Sequence, residues 1–205
     1  MPSRLTPHEP DSRLTTHDTR LTTHDSRLTT STNPSHKIIK MKQLLLVRHA
    51  KSSWNDFSIK DFDRPLNDRG KKDAPVMAKR LNEKDISIDA FISSPAKRAR
   101  KTAEAFVKEL KEKKKDIHFD EALYLASPNT FFSVISNVDD EYNTIAVFSH
   151  NEGITSFANM LTETRIDNIP TCGIFAVKIK AKSWADFEKA EKEFWFFDYP
   201  KSPED

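Results

Sequence analysis

The sequence predicts an α/β fold for residues 41–205, a three-layer α/β/α sandwich around a mostly parallel central sheet. Two observations lead to this prediction. Short continuous apolar runs recur, as at residues 44–47 and 145–148, and such runs are typical of strands buried on both faces. Between the runs, apolar residues return at intervals of three and four, which places them along one face of a helix. Strands therefore alternate with helices, as parallel sheets require.

The first predicted strand is at residues 44–47, and a helix follows it after a polar loop. The apolar stripe of this helix consists of Ala74, Met77, Ala78 and Leu81. Proline lacks an N–H and fits best in the first turn of a helix, so Pro75 places the helix start nearby and makes Asp73 the expected N-cap.

The second predicted strand is at residues 88–92. The run Ser93-Ser94-Pro95 then predicts a capping serine with proline just inside the next helix. The stripe of this second helix is Ala96, Ala99, Ala103, Phe106 and Leu110. Its Lys/Arg-rich remainder, residues 97–115, is interpreted as a solvated face and not as a nucleic-acid patch.

The second half of the region continues the alternation. The remaining predicted elements are a weaker strand at 117–119, a short helix near 130–138, a buried strand at 145–148, a helix with Ile154, Phe157, Ala158 and Leu161 on one face, and two final strands at 173–179 and 194–199.

Residues 1–40 have a different character. A seven-residue pattern, Ser-Arg-Leu-Thr-Thr-His-Asp, begins at Ser12 and returns with small changes at Thr19 and Ser26. One apolar residue per repeat is too few for a coiled coil, and paired threonines disfavour helix. We therefore expect a disordered low-complexity extension at 1–40, with Met41 as the functional start of a single domain at 41–205.

Composition excludes several classes of protein. The 33 Lys and Arg residues nearly balance the 31 Asp and Glu residues, which gives no basic excess typical of a nucleic-acid binder. No apolar run approaches the roughly 20 residues that span a bilayer, so no membrane segment is expected. A single cysteine, Cys172, cannot form an intramolecular disulfide, and a cytoplasmic location is the expectation. Three glycines are too few for a dinucleotide fingerprint or a phosphate-binding P-loop.

Cationic and imidazole residues follow three of the predicted strands. Arg48 and His49 end the first, Arg98 lies one helical turn beyond the second, and His150 follows the strand at 145–148. Because the carboxyl ends of parallel strands meet at one edge of a sheet, we expect these four residues to converge. Arginine forks match a tetrahedral oxyanion, and an unprotonated histidine can attack phosphorus. The residues predict phosphoryl transfer through a histidine, without a metal or a cofactor.

Three motifs, in order, resemble those of the histidine phosphatase (phosphoglycerate mutase-like) superfamily. Leu-Val-Arg-His-Ala at 46–50 resembles its Arg-His-Gly motif with alanine in place of glycine, Ser-x-x-x-Arg-Ala-x-x-Thr at 94–102 resembles the second motif, and Ser-His-Asn-Glu-Gly at 149–153 resembles the second histidine motif. The Arg-His-Ala-Lys-Ser-Ser-Trp opening and the segment at 63–70 are similar to the phosphohistidine phosphatase SixA branch.

This resemblance implies a phosphoglycerate mutase-like fold and a set of roles. His49 would be the nucleophile that becomes phosphorylated, Arg48 and Arg98 would hold the nonbridging phosphoryl oxygens, and His150 would complete the pocket and help to stabilise the transition state.

Three further residues are candidate substrate contacts. The resemblance places Ser52 and Asn55 at positions where the family often contacts phosphate or substrate. Arg64, on the loop after the first motif, either meets the substrate or forms a surface ion pair beside Asp61 and Asp63.

The substrate class is less strongly specified. Three carboxylates are candidates for a general acid, Glu121, Glu152 and Asp56, and none of them matches a family motif firmly. A phosphoramidate needs such an acid less than an ester does, because imidazole is a far weaker base than an alkoxide. The stretch at 102–145 is also too short for a large insertion over the pocket. A phosphorylated histidine-containing protein is therefore the expected partner. A phosphatase of a small phosphomonoester and a noncatalytic phosphoprotein-binding module remain alternatives.

Overall fold

A six-stranded sheet forms the centre of the computed structural model, which describes residues 41–111 and 117–202. The strands are β1 (Lys42–Arg48), β2 (Ala90–Ser93), β3 (Ile117–Phe119), β4 (Thr144–Ser149), β5 (Ile174–Ile179) and β6 (Lys192–Asp198), and their order across the sheet is β3-β2-β4-β1-β5-β6. Strands β3, β2, β4 and β1 are parallel, whereas β5 and β6 are antiparallel additions at one side. The predicted mostly parallel sheet is confirmed.

Four helices cover the two faces of this sheet: α1 (Asp68–Glu83), α2 (Lys97–Glu109), α3 (Pro128–Ser136) and α4 (Gly153–Leu161). Successive side chains of a strand point to opposite faces, and β1 shows this directly. Leu44 and Leu46 pack into a core shared with α3 and α4, while Leu45 and Val47 pack into a second core shared with α1 and α2. All four leucine and valine side chains are fully buried, as the continuous apolar run predicted.

Two predicted helix starts are wrong. Helix α1 begins at Asp68, not near Asp73, because the Asn67 side chain accepts a hydrogen bond from the Gly70 N–H and caps the helix earlier. Pro75 consequently lies inside α1. The buried stripe that follows it holds the helix in place despite the lost N–H.

Helix α2 begins at Lys97, and its N-cap residue, Ala96, makes no side-chain cap. Pro95 therefore precedes this helix, and Ser94 does not cap it. The Ser94 hydroxyl instead accepts a hydrogen bond from the Ala96 N–H at 3.3 Å and meets His150 at 2.8 Å.

The predicted extension at 1–40 lies outside the described residues. Within residues 41–111 and 117–202, none of the helices combines the length and apolar character that crossing a bilayer demands.

Candidate active site

A cavity of about 390 Å³ opens at the carboxyl ends of β1 and β4, beside the start of α2. Its walls include Arg48, His49, Arg98 and His150, the four residues predicted to converge there. A larger cavity of about 650 Å³ lies between β2, β3 and α3 and contains none of these four. We assign the candidate site to the smaller cavity because its groups, and not its size, suit phosphoryl chemistry.

The His49 ring has a defined tautomer. Its Nδ1 lies 2.8 Å from the Ala50 carbonyl oxygen, which can only accept, so Nδ1 carries the proton and donates. Its Nε2 is therefore unprotonated, and its lone pair accepts a hydrogen bond from Arg98 Nε at 3.2 Å. Burial lowers the pKa of His49 to about 3, against the raising effect of the Ala50 bond, and the nearby Arg98 charge lowers it further. The imidazole is thus neutral near pH 7.

His150 lies beside His49, with 5.1 Å between the two ring centroids. Its Nε2 shares a hydrogen bond of 2.8 Å with the Ser94 hydroxyl, while its buried Nδ1 has no hydrogen-bond partner among the described residues. Burial lowers the pKa of His150 to about 2, and the neighbouring His49 and Arg98 contribute. The described residues therefore hold one ring nitrogen of this neutral histidine through Ser94 and leave the other, buried nitrogen without a hydrogen bond.

Three guanidinium groups surround the two histidines. Arg48 Nη1 donates to the Ile169 carbonyl at 2.7 Å, and its buried Nε has no partner within the part of the chain that the structure describes. Arg64 is 7% exposed, donates to the Ser52 hydroxyl at 3.1 Å and stacks 3.5 Å from the centroid of the Trp54 ring. Arg64 is therefore a buried residue of the cavity wall, and its ion pair with Asp61 joins a buried guanidinium to a carboxylate whose side chain is 44% exposed.

Asp61 is a cavity residue that the sequence reasoning treated only as a neighbour of Arg64. Its carboxylate accepts from Arg64 at 2.6 Å, from Arg98 at 2.9 Å and from the Tyr124 hydroxyl at 2.8 Å. Partial burial raises the pKa of Asp61, but these hydrogen bonds, first from Tyr124 and then from the arginines, lower it to about 2. Asp61 is therefore an ionised clamp on two arginines. Its position three residues before Arg64 was the available signal.

A buried hydroxyl connects the first two motifs. Thr102, on α2, accepts from the Ala50 N–H at 2.9 Å and donates to the Arg98 carbonyl at 2.7 Å. It has no exposed surface. Through this one side chain the loop that presents His49 is held against the helical turn that presents Arg98.

The remaining predicted residues divide into two groups. Ser52 is buried at the cavity wall, whereas Asn55 is exposed and is not part of the lining. The three candidate acids, Asp56, Glu121 and Glu152, also lie outside the lining. Among the described residues that line the cavity, Asp61 is the single carboxylate, and the positive charges outnumber it.

Two loop residues near the cavity differ in burial. Trp54 is 58% exposed and is therefore not a core residue. Cys172 is fully buried, and burial strongly raises the pKa of its thiol, so it is a structural residue and not a reactive one.

Known proteins resemble this chain in sequence. The family model described as "Histidine phosphatase superfamily (branch 1)" matches residues 44–124. An uncharacterized protein of Mycobacterium tuberculosis is 32% identical over 152 residues, which cover 69% of this chain and 92% of that protein.

Solved structures show the same fold. A SixA protein from Agrobacterium tumefaciens, assigned as a phosphohistidine phosphatase, aligns with a TM-score of 0.66 at 23% identity, over 78% of this chain and 98% of that one. The protein histidine phosphatase SixA complexed with tungstate aligns with a TM-score of 0.66 at 19% identity, over 77% and 97% of the two chains. At these identities the likeness concerns the fold alone.

Proposed function

This chain belongs to the histidine phosphatase superfamily, which supports phosphatase activity, and from that premise we propose that it removes phosphate from phosphohistidine on a protein. The observation that carries the proposal is the tautomer of His49. A histidine whose Nδ1–H is held by a carbonyl presents an unprotonated Nε2, and this nitrogen lies 3.2 Å from Arg98 Nε in a ring that lines the cavity. Such a group can attack phosphorus without first losing a proton.

The proposed reaction has two steps. In the first, Nε2 of His49 forms a bond to phosphorus as the phosphorus–nitrogen bond of the substrate breaks; the substrate ring, protonated on its other nitrogen, keeps the electron pair and departs as neutral imidazole. In the second, water attacks the phosphorus atom, the bond between phosphorus and Nε2 of His49 breaks, and inorganic phosphate and the neutral His49 ring are released. Arg48 and Arg98 neutralise the nonbridging oxygens in both steps, and His150, whose ring centroid lies 5.1 Å from that of His49, completes the wall of the cavity.

Two features favour phosphohistidine over an ester. An ester releases an alkoxide, a strong base that needs a proton donor, whereas the single carboxylate lining the cavity within the described residues is Asp61, which is ionised and held by two arginines. In addition, the described part of the chain between α2 and β4 contains β3, a short 3-10 helix at Glu121–Leu123 and α3, without a large helical cover. A protein-bound phosphoryl group fits such a site.

The direct test uses the full chain with a chelator present. A phosphohistidine-carrying phosphotransfer domain and para-nitrophenyl phosphate are supplied separately, and wild type is compared with His49→Ala. His118→Ala, a change of an exposed histidine on β3, is the matched control. We expect phosphate release from the protein substrate, insensitive to chelator, abolished in His49→Ala and retained in His118→Ala.

Other outcomes would replace the proposal. Activity on the ester alone would assign a small-phosphomonoester phosphatase, and binding without release from either substrate would assign a noncatalytic module. Loss of activity with the chelator would contradict metal independence. A cytoplasmic location stays a prediction of the sequence.

A further inference from the structure

A groove of about 290 Å³ lies between the N-terminal parts of α1 and α2. Its floor is apolar, formed by Pro65, Leu66, Ala74 and Ala105. Three lysines line it as well: Lys71 from α1, and Lys97 and Lys101 from α2. The groove therefore combines an apolar strip with a row of cations, and the phosphoryl chemistry described above uses neither.

The groove adjoins the candidate active site through the chain itself. Pro65 and Leu66 follow Arg64 directly in the chain, and Lys97 directly precedes Arg98, so at two places a residue of the groove is the covalent neighbour of a residue that lines the candidate active site. Leu66 also pairs with Ser52 of that cavity through an isolated β-bridge. A polypeptide with its phosphoryl group at His49 can therefore lay its neighbouring residues along the groove.

The charges of the groove are incompletely balanced. Lys97 is half-buried, and none of the described carboxylates pairs with its ammonium. Lys71 and Lys101 pair only with carboxylates on their own helices, Asp68 and Glu104, whose side chains are 93% and 40% exposed. Such surface pairs are weak and exchange easily. The positive ends of both helix macrodipoles lie here too, since Lys71 and Lys97 belong to the first turns of α1 and α2.

We propose that this groove docks an acidic segment of the protein substrate, next to its phosphorylated histidine, with Lys71, Lys97 and Lys101 facing the carboxylates. The inference depends on the proposed function, because it concerns the partner of the same site. An extended segment suits the groove better than a free small anion. The apolar floor offers contacts to side-chain stems, and the flexible lysines form a row and not a closed cradle.

The test measures binding by the full chain, so it does not depend on turnover. Two fluorescent peptides each carry a phosphonotriazole analogue of phosphohistidine, one followed by a run of aspartates and the other by serines. Fluorescence anisotropy gives the ratio of their affinities for wild type, Lys97→Glu, Lys101→Glu and the double variant. Lys182→Glu is the matched control, because residue 182 is exposed and follows β5 at the opposite end of the sheet, where Ile179 pairs with Lys42.

We expect wild type to prefer the aspartate peptide. This preference falls about threefold in each single variant and about tenfold in the double variant, as expected for exposed ion pairs, and it weakens with added salt. The ratio stays unchanged in Lys182→Glu. Each variant is judged by the ratio of its affinities for the two peptides. Because both peptides carry the same phosphohistidine analogue, a change in the electrostatic potential at the phosphoryl site affects both affinities equally and leaves the ratio unchanged.

Three results would overturn the inference. Equal binding of both peptides by wild type, with phosphohistidine still hydrolysed, would remove the docking groove and leave the proposed function intact. Displacement of the aspartate peptide by a DNA oligonucleotide of equal charge with equal affinity would assign the lysines to unspecific polyanion binding. Binding of neither peptide, together with no hydrolysis of phosphohistidine, would overturn the proposed function and the docking groove together.

Discussion

The Thr102 hydroxyl allows a test of how the site is held together. Thr102→Val keeps the shape of the side chain and removes both hydrogen bonds, whereas Thr102→Ser keeps the hydroxyl and removes a methyl group. In the valine variant the buried N–H of Ala50 loses its partner at 2.9 Å, and an unsatisfied buried donor costs about 1–3 kcal/mol. The Arg98 carbonyl loses less, since inside α2 it keeps its regular helical partner.

These values separate the two variants. Thr102→Val should lower the free energy of unfolding by about 2 kcal/mol, and Thr102→Ser by about 0.8 kcal/mol for the lost methyl group. Activity should separate them further. The Ala50 carbonyl sets the His49 tautomer, and a displacement of about 1 Å near reacting groups costs up to about 100-fold in rate. We therefore expect kcat/KM to fall about 10- to 100-fold in Thr102→Val and less than about threefold in Thr102→Ser.

Urea denaturation gives the free energies, and phosphate release from the preferred substrate gives kcat/KM. A valine variant as stable and as active as wild type would refute the role of the hydroxyl. So would a serine variant that loses more activity than the valine variant, because the methyl group would then be what matters.

Four other predictions concern the site and the loop next to it. In an NMR titration, His49 and His150 should show no imidazolium down to about pH 5, since burial lowers both pKa values, and a midpoint above about pH 6 would contradict this. Below about pH 6.5 these two histidines bind protons in the unfolded state but not in the folded state. The free energy of unfolding should therefore fall, for each of the two histidines, by about 1.4 kcal/mol for every pH unit. In urea titrations at several pH values, His49→Gln should show a smaller dependence on pH, because the contribution of His49 is removed. Gly70→Ala should lower the free energy of unfolding, measured in urea, by about 3 kcal/mol or more, because the new Cβ would lie 2.2 Å from the Lys51 carbonyl oxygen. A variant as stable as wild type would show that the loop at Lys51 can move to make room. Ser94→Ala should lower the free energy of unfolding by about 1–2 kcal/mol and should also lower kcat, because it removes the hydrogen bond between the Ser94 hydroxyl and the buried His150 ring. If stability and kcat were both unchanged, Ser94 would have no part in positioning His150.

Local patterns predicted the elements well where burial alone decides them. The apolar run in β1 is a strand because both of its faces are covered, and the stripe of α1 is buried as its spacing requires. The starts of α1 and α2 were misplaced for a physical reason. A capping contact of Asn67 outweighed the usual position of Pro75, and the Ser94 hydroxyl was taken by His150, which lies 56 residues away in the chain.

The residues of the site also differ in how far the sequence could predict them. Arg48, His49, Arg98 and His150 could be predicted to converge because each lies at or near the carboxyl end of a parallel strand, and sheet topology brings those ends together. Asn55 could not be separated from Ser52 by sequence, since one turn of a loop decides which of the two reaches the cavity.

The layered α/β architecture and the convergence of Arg48, His49, Arg98 and His150 could therefore be predicted from the sequence, because apolar periodicity and the ends of strands depend on neighbouring residues. Other features follow from the tertiary structure: the hydrogen bond from Arg98 to Nε2 of His49, the clamp that Asp61 forms on Arg98, and the lysine groove between α1 and α2. These features depend on contacts between groups far apart in the chain, 37 residues in the case of Asp61 and Arg98. Such contacts exist only once packing has fixed the distances between the elements that carry them.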